Sequence, residues 1–232
     1  MRKPVVDYRK FELSKLNSPQ FCHLKYLFGW VGYFALYFLT ETLIPLGRCQ
    51  VMHSPVDDLI PFHEVFVIPY VVWYFLIVGT LVYLALYNPK GFKYFMTFII
   101  VTQITAMACY ILRPSCQMLR PKEFPRDNFL TKCVAFLYAF DDNTGVCPSL
   151  HVAYSIGIAS AWLKEKRVHV LWKLFVIIAV IMICLSTMFI KQHSFVDVYA
   201  ALPVCVLAEI IAYYKPYWLP KKQKKKLLRQ AR

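Results

Sequence analysis

The chain has 232 residues, of which 59% are hydrophobic, 17% aromatic and only 17% charged, with a formal net charge of +14. A soluble domain carries about 25% charged residues, so this composition excludes an ordinary soluble fold and makes lipid the solvent for much of the chain. The positive excess does not point to nucleic acid, because no base-reading or aromatic-interleaved motif accompanies the basic runs.

Crossing a ~30 Å hydrocarbon core takes about 20 apolar residues in a helix. Six stretches are read as spans in chain order: Leu24–Leu46, Val65–Tyr87, Lys93–Leu112, Pro148–Leu163, Trp172–Ile190 and Ser194–Tyr214, the fourth being the shortest. The run Phe129–Phe140 is apolar but too short to span, and is expected to lie at the interface or over the mouth of the bundle. The first apolar run starts late and lacks a small-residue cleavage site, so a cleaved signal peptide is not expected. The fold class is therefore all-α: a six-transmembrane-helix bundle with an interfacial helix in the long outer loop. A cytoplasmic segment 1–23 precedes the membrane domain 24–214, and a basic cytoplasmic tail 215–232 follows it.

Charge placement supports an even helix count. With both termini on one side, that side holds 20 of the 27 Lys and Arg residues, and the other keeps Arg48, Arg113, Arg120, Lys122, Arg126, Lys132 and Lys191. The positive-inside rule then makes both tails cytoplasmic. The run Lys221–Lys226 reads as a juxtamembrane tail drawn to anionic lipid, at roughly 1 kcal/mol per residue. Of the eight cysteines, Cys49, Cys116, Cys133 and Cys147 fall on the outer side, where up to two disulfides in any of three connectivities, or four free thiols, are equally compatible with the sequence. No CxxC pair suggests zinc.

The unusual polar residues gather at the outer ends of the expected helices. Arg113 and Arg120, each followed by proline, open the long loop Arg113–Cys147; forked guanidinium donors match phosphate geometry, although two arginines also serve as interfacial anchors. The stretch Cys147-Pro148-Ser149-Leu150-His151 begins the fourth helix, with proline at a first helical position and the following N–H groups open to an anion. Ser186 and Thr187 end the fifth helix, Lys191 follows, and His193 and Asp197 begin the sixth. Four apart on a helix, His193 and Asp197 share a face, so the carboxylate can hold one ring nitrogen and leave the other as nucleophile. Ionisable groups at the membrane are costly, which makes function the default explanation for them.

Taken together, Arg113-x6-Arg120-Pro121, Pro148-Ser149-Leu150-His151 and Ser186-Thr187-x5-His193-x3-Asp197 resemble the three motifs of the type 2 phosphatidic acid phosphatase superfamily, K-x6-R-P, P-S-x-H and S-R-x5-H-x3-D. The resemblance covers roughly residues 60 to 214. It departs at Arg113 for lysine, Leu150 for the common glycine, and Thr187 for the usual arginine. The last change looks like the inositol phosphorylceramide synthase branch, whose members pass a phospho-headgroup to an alcohol rather than to water.

The resemblance implies a membrane lipid phosphatase or phosphotransferase with its site on the extracytoplasmic or lumenal side and no metal or other cofactor. His193 would become the phosphohistidine, Asp197 would orient it, and His151 would serve as acid and then base. Arg113, Arg120, Ser149 and Ser186 would bind phosphate, with Thr187 beside them, and Lys191 would either restore the charge missing at Thr187 or simply snorkel outward. The expected partner is a membrane lipid substrate, with anionic lipid at the basic tail. Three rivals remain: a transporter, disfavoured because Glu41 and Glu209 lie towards helix ends and Gln103 is neutral; a metal hydrolase on His151, His193 and Asp197; and a silent scaffold.

Overall fold

Side chains that alternate with the 3.6-residue period bury one stripe each, and the computed structural model, which describes residues 3–43 and 49–219, assembles those stripes into a helical bundle. Its helices are α1 (Phe28–Leu43), α2 (Pro55–Leu59), α3 (Val67–Tyr87), α4 (Pro89–Leu112), α5 (Phe129–Phe140), α6 (Leu150–Lys164), α7 (Val170–Phe189) and α8 (Phe195–Tyr213). The end of the first expected span, Arg48 and the basic run from Lys221 lie outside the described residues.

Helix boundaries follow local capping chemistry. Asn88 caps α4 through Oδ1, which accepts from the Gly91 amide at 2.9 Å, with Pro89 in the first turn. That is why α4 starts four residues before the expected Lys93. At α6 the cap is Ser149, and Pro148 stands outside the helix behind a cis Cys147–Pro148 bond, so Pro148 is not the first helical residue. Among the described residues, four segments are long and apolar enough to cross a membrane: Glu64–Tyr87, Pro89–Leu112, Val170–Phe189 and Phe195–Trp218. The other two expected spans are shorter, with 16 residues described in α1 and 15 in α6. At ~1.5 Å per residue α6 reaches about 22 Å.

The central element is α4, which packs against α8, α6, α1 and α3. Phe92, Phe95, Met96, Phe98 and Ile99 are fully or almost fully buried along it. Gly157 of α6 faces the Phe98 ring, where a Cβ would stand 2.7 Å from ring carbons; the missing side chain lets the two helices approach. Away from this core, α3 exposes Ile68, Phe75 and Val78, and α7 exposes Leu171, Leu174 and Ile178. Contiguous apolar surface of this kind is unsuited to water and suited to lipid.

The connections separate the bundle into two ends. One end gathers the α3–α4 turn, where Asn88 Nδ2 donates to Glu165 and Val5 N–H donates to the Leu86 carbonyl. The opposite end carries α2, α5 and the starts of α6 and α8. There the fold departs from pure helix: β1 (Gln50–Val51) pairs in parallel with β2 (Ser115–Cys116), beside a Cys49–Cys116 disulfide. Cys133 and Cys147, the other two cysteines expected on the outer side, are free.

Candidate active site

The turn between α7 and α8 sets the centre of the site. The Thr187 carbonyl ends α7 by accepting the amides of Gln192 (2.9 Å) and His193 (3.0 Å). Ser194 then caps α8, and Asp197 completes the capping box by accepting the Ser194 amide at 2.9 Å. The same Asp197 oxygen, Oδ2, lies 3.3 Å from Nδ1 of His193. With Nδ1 turned to the carboxylate, Nε2 is left as the unshared nitrogen.

His151 enters from the first turn of α6. Its ring centroid is 5.8 Å from that of His193, and it packs between Tyr70 (4.7 Å) and Trp73 (4.4 Å) of α3. Nε2 of His151 is buried without a hydrogen-bond partner. Ser149 ties α6 to α8, its amide donating to the Asp197 carbonyl at 3.1 Å while its hydroxyl caps the Val152 amide. One of the N–H groups expected to face an anion is thus used within the fold.

The expected phosphate-binding residues do not all converge. Arg120 is close: its Nη2 donates to Gln192 Oε1 (2.7 Å) and the Asp141 carbonyl (2.6 Å), its Nη1 to the Tyr138 carbonyl, and it lies over the Tyr138 ring at 4.4 Å. Arg120 Nε is buried and unpaired. Burial lowers the pKa of this guanidinium, and nearby Asp141 opposes that shift. Arg113 is exposed and donates its Nε to Gln50 Oε1 at 2.7 Å. Ser186 and Thr187 are fully buried, their hydroxyls given to the Ile183 and Cys184 carbonyls. Lys191 points the other way, its Nζ donating to the carbonyls of Asp57 (2.9 Å) and Ile60 (2.5 Å).

Two carboxylates outside the motifs belong to this neighbourhood. Asp141, at the end of α5, accepts from Tyr70 OH (3.4 Å) and Gln192 Nε2 (3.3 Å). Burial pushes its carboxyl upward, while the charges of His193 and Arg120 pull it back. Asp57 on α2 is 2% exposed and accepts from Ser194 and Phe195, directly after His193. Ser54-Pro55-Val56-Asp57 is a capping pattern visible in the sequence. Nothing at Asp141 distinguishes it from neighbouring Asp142. The Cys147 thiol lies against Asp197, and burial followed by that carboxylate's charge pushes it up to about 12. Among the described residues, no group of three or more His, Cys, Asp or Glu side chains could hold a metal ion.

A cationic loop, two imidazoles and an orienting carboxylate at one end of a helical bundle suit transfer of a phosphoryl group. Residues 92–221, more than half of the chain, match the PAP2 superfamily. The chain belongs to the PAP2 superfamily, the type 2 phosphatidic acid phosphatases. No curated protein and no solved structure matches it. With four helices among the described residues long and apolar enough to cross a bilayer, this PAP2 protein is an integral membrane protein of phosphatase type. The matched stretch contains every motif residue from Arg113 to Asp197 and leaves α1, α2 and α3 outside.

Proposed function

We propose that this PAP2 protein is a lipid phosphatase or phosphotransferase working through a phosphohistidine at His193. The observation that carries the reading is the His193–Asp197 pair at 3.3 Å with the His151 ring beside it. Nε2 of His193 attacks phosphorus, forming a P–N bond as the P–O bond to the leaving alcohol breaks. Protonated His151 gives its proton to that oxygen. His151 then takes a proton from the incoming water or alcohol, whose oxygen attacks phosphorus and breaks the P–N bond. Asp197 holds Nδ1–H and stabilises the positive charge on the ring. Arg120, through its unpaired Nε, and Arg113, through its terminal amines, receive the phosphoryl oxygens, so the chemistry needs no metal.

The choice of acceptor turns on Thr187. The hydroxyl at the usual arginine position is given to the Cys184 carbonyl, and Lys191 is given to α2. The clamp is therefore one cation short, which suits a singly charged phosphodiester better than a doubly charged monoester. That favours headgroup transfer to an alcohol, as in the inositol phosphorylceramide synthase type, as the second reading.

In this proposal 24–214 forms a six-helix membrane domain with both termini cytoplasmic and the site extracytoplasmic or lumenal. The α5 helix lies at the interface, with Phe129, Phe136 and Phe140 towards lipid. The tail 215–232 meets anionic lipid.

The test is product analysis on labelled phospholipids and lipid phosphates, with and without alcohols and a strong chelator. Chelator-resistant turnover and an acid-labile phosphoenzyme, absent in His193→Ala, are expected. Full turnover by His193→Ala would end the proposal, and free phosphate as sole product would decide for water.

A further inference from the structure

The segment 49–60 precedes the stretch that matches the superfamily, yet it touches both halves of the site. At one end it is fastened to the arginine loop. The Cys49–Cys116 disulfide, the β1–β2 pairing, and the Met52 amide on the Cys116 carbonyl (2.6 Å) all join it there. Gln50 Oε1 accepts from Arg113 itself. At the other end, Asp57 Oδ1 accepts the Phe195 amide (2.7 Å), while Oδ2 accepts the Ser194 hydroxyl (2.5 Å) and the Ser54 amide (2.7 Å). Lys191 Nζ reaches back to the carbonyls of Asp57 and Ile60.

A connection between two helices does not need a buried carboxylate and a buried ammonium, because each is costly to remove from water unless fully hydrogen-bonded. Here Asp57 is 2% and Lys191 8% exposed, and their contacts bracket His193 on both sides of the chain. Lys191 also sits at φ 56, a left-handed conformation that favours glycine and persists only where surroundings impose it. The Gln117 amide on the Lys191 carbonyl (3.0 Å) adds a third hold on the same residue.

We infer that residues 49–60 are a strap that sets the nucleophile against the arginine loop, with Asp57 its positioning residue for His193. In-line attack on phosphorus is sensitive to placement, and a misplacement of ~1 Å costs about 10²-fold in rate. Lys191 on this view anchors the strap and is not a phosphate ligand. The inference rests on the proposed role of His193.

The experiment uses the full chain in detergent micelles with a fluorescent lipid phosphate, comparing Asp57→Asn, Lys191→Met and His193→Ala. An asparagine must turn an NH2 towards either the Phe195 amide or the Ser54 and Ser194 donors, so it breaks one side of the anchor. Readouts are kcat and KM per folded molecule, the single-turnover rate of phosphoenzyme formation, and Tm. Asp57→Asn is expected to lower kcat about 10²-fold through slower phosphoenzyme formation, with KM within about threefold. Lys191→Met is expected to show a smaller loss of the same kind. A kcat within about threefold of the parent in both variants, or a loss confined to KM, would overturn the strap, whatever happens to Tm. If Asp57→Asn does not fold, Lys191→Met decides by the same criteria. A dead His193→Ala beside fully active strap variants sinks this inference alone, while an active His193→Ala sinks the reading beneath it.

Discussion

Asp197→Asn isolates the charge of the carboxylate from its place in the fold. Asp197 is fully buried, and its Oδ2 serves both the Ser194 amide and His193 Nδ1. Asparagine fills the same volume and keeps an acceptor for Ser194, so the start of α8 should lose less than about 1 kcal/mol, the usual worth of such a cap. The catalytic loss is larger. In the proposed mechanism the ring becomes cationic as Nε2 of His193 bonds to phosphorus, and unit charges ~4 Å apart at an effective dielectric of ~20 interact by about 4 kcal/mol. At ~1.36 kcal/mol per decade that is about 10³ in rate. Should the amide instead turn its NH2 to Nδ1, the ring proton is forced onto Nε2 and the nucleophile is blocked; because one oxygen serves both groups, the Ser194 amide then loses its acceptor too, at a cost of about 1 kcal/mol. In Ser-His-Asp triads the corresponding change costs about 10⁴. The expected result is therefore a kcat lower by about 10³ to 10⁴, with KM and Tm little changed. Steady-state turnover of a lipid phosphate in micelles, with a thermal melt on the same sample, measures all three. A kcat within tenfold of the parent, in protein that melts normally, would remove Asp197 from the chemistry.

The remaining predictions probe other parts of the same frame. Arg120→Lys replaces a fork that meets three acceptors with a single ammonium; kcat/KM should fall by about 10² or more, checked on the same substrate. Thr80→Val leaves the buried Trp162 Nε1, now 2.8 Å from the threonine hydroxyl, without a partner. That costs about 1–3 kcal/mol and should lower Tm while kcat per folded molecule holds. At pH 8 the Cys147 thiol, pushed up to about 12, stays protonated in the folded protein, so alkylation there should be slow and should speed up on unfolding. In denaturant without reductant, a maleimide should add to six cysteines, and to all eight after reduction. Eight additions before reduction would remove the Cys49–Cys116 bond.

What the sequence reveals depends on how far apart the interacting parts lie along the chain. Long apolar runs declare themselves, so α3, α4, α7 and α8 appear within a few residues of their expected limits, and α5 appears at Phe129–Phe140 as read. Their ends shift where a single cap decides, as at Asn88 and Ser149. The five-residue α2 carries no periodicity to detect, and only the Ser54-Pro55-Val56-Asp57 cap announces it. The His193–Asp197 geometry is likewise local, because a spacing of four on a helix fixes it.

Lys191 shows where such reading stops. From residues 186–197 alone, a lysine beside the turn that lacks an arginine reads as a replacement for the missing charge. A long side chain, however, goes where its ammonium finds acceptors, and the left-handed backbone at Lys191 accompanies a chain directed towards α2. The Asp57 and Ile60 carbonyls waiting there are more than 130 residues away in sequence. Burial lowers the pKa of the Lys191 ammonium, and the charges of Asp57 and nearby Asp58 partly offset that shift. The same distance hides Asp57 from any motif built around His193. A pattern confined to one turn can therefore bring His193 and Asp197 together, but not reveal the distant segment that holds the turn in place.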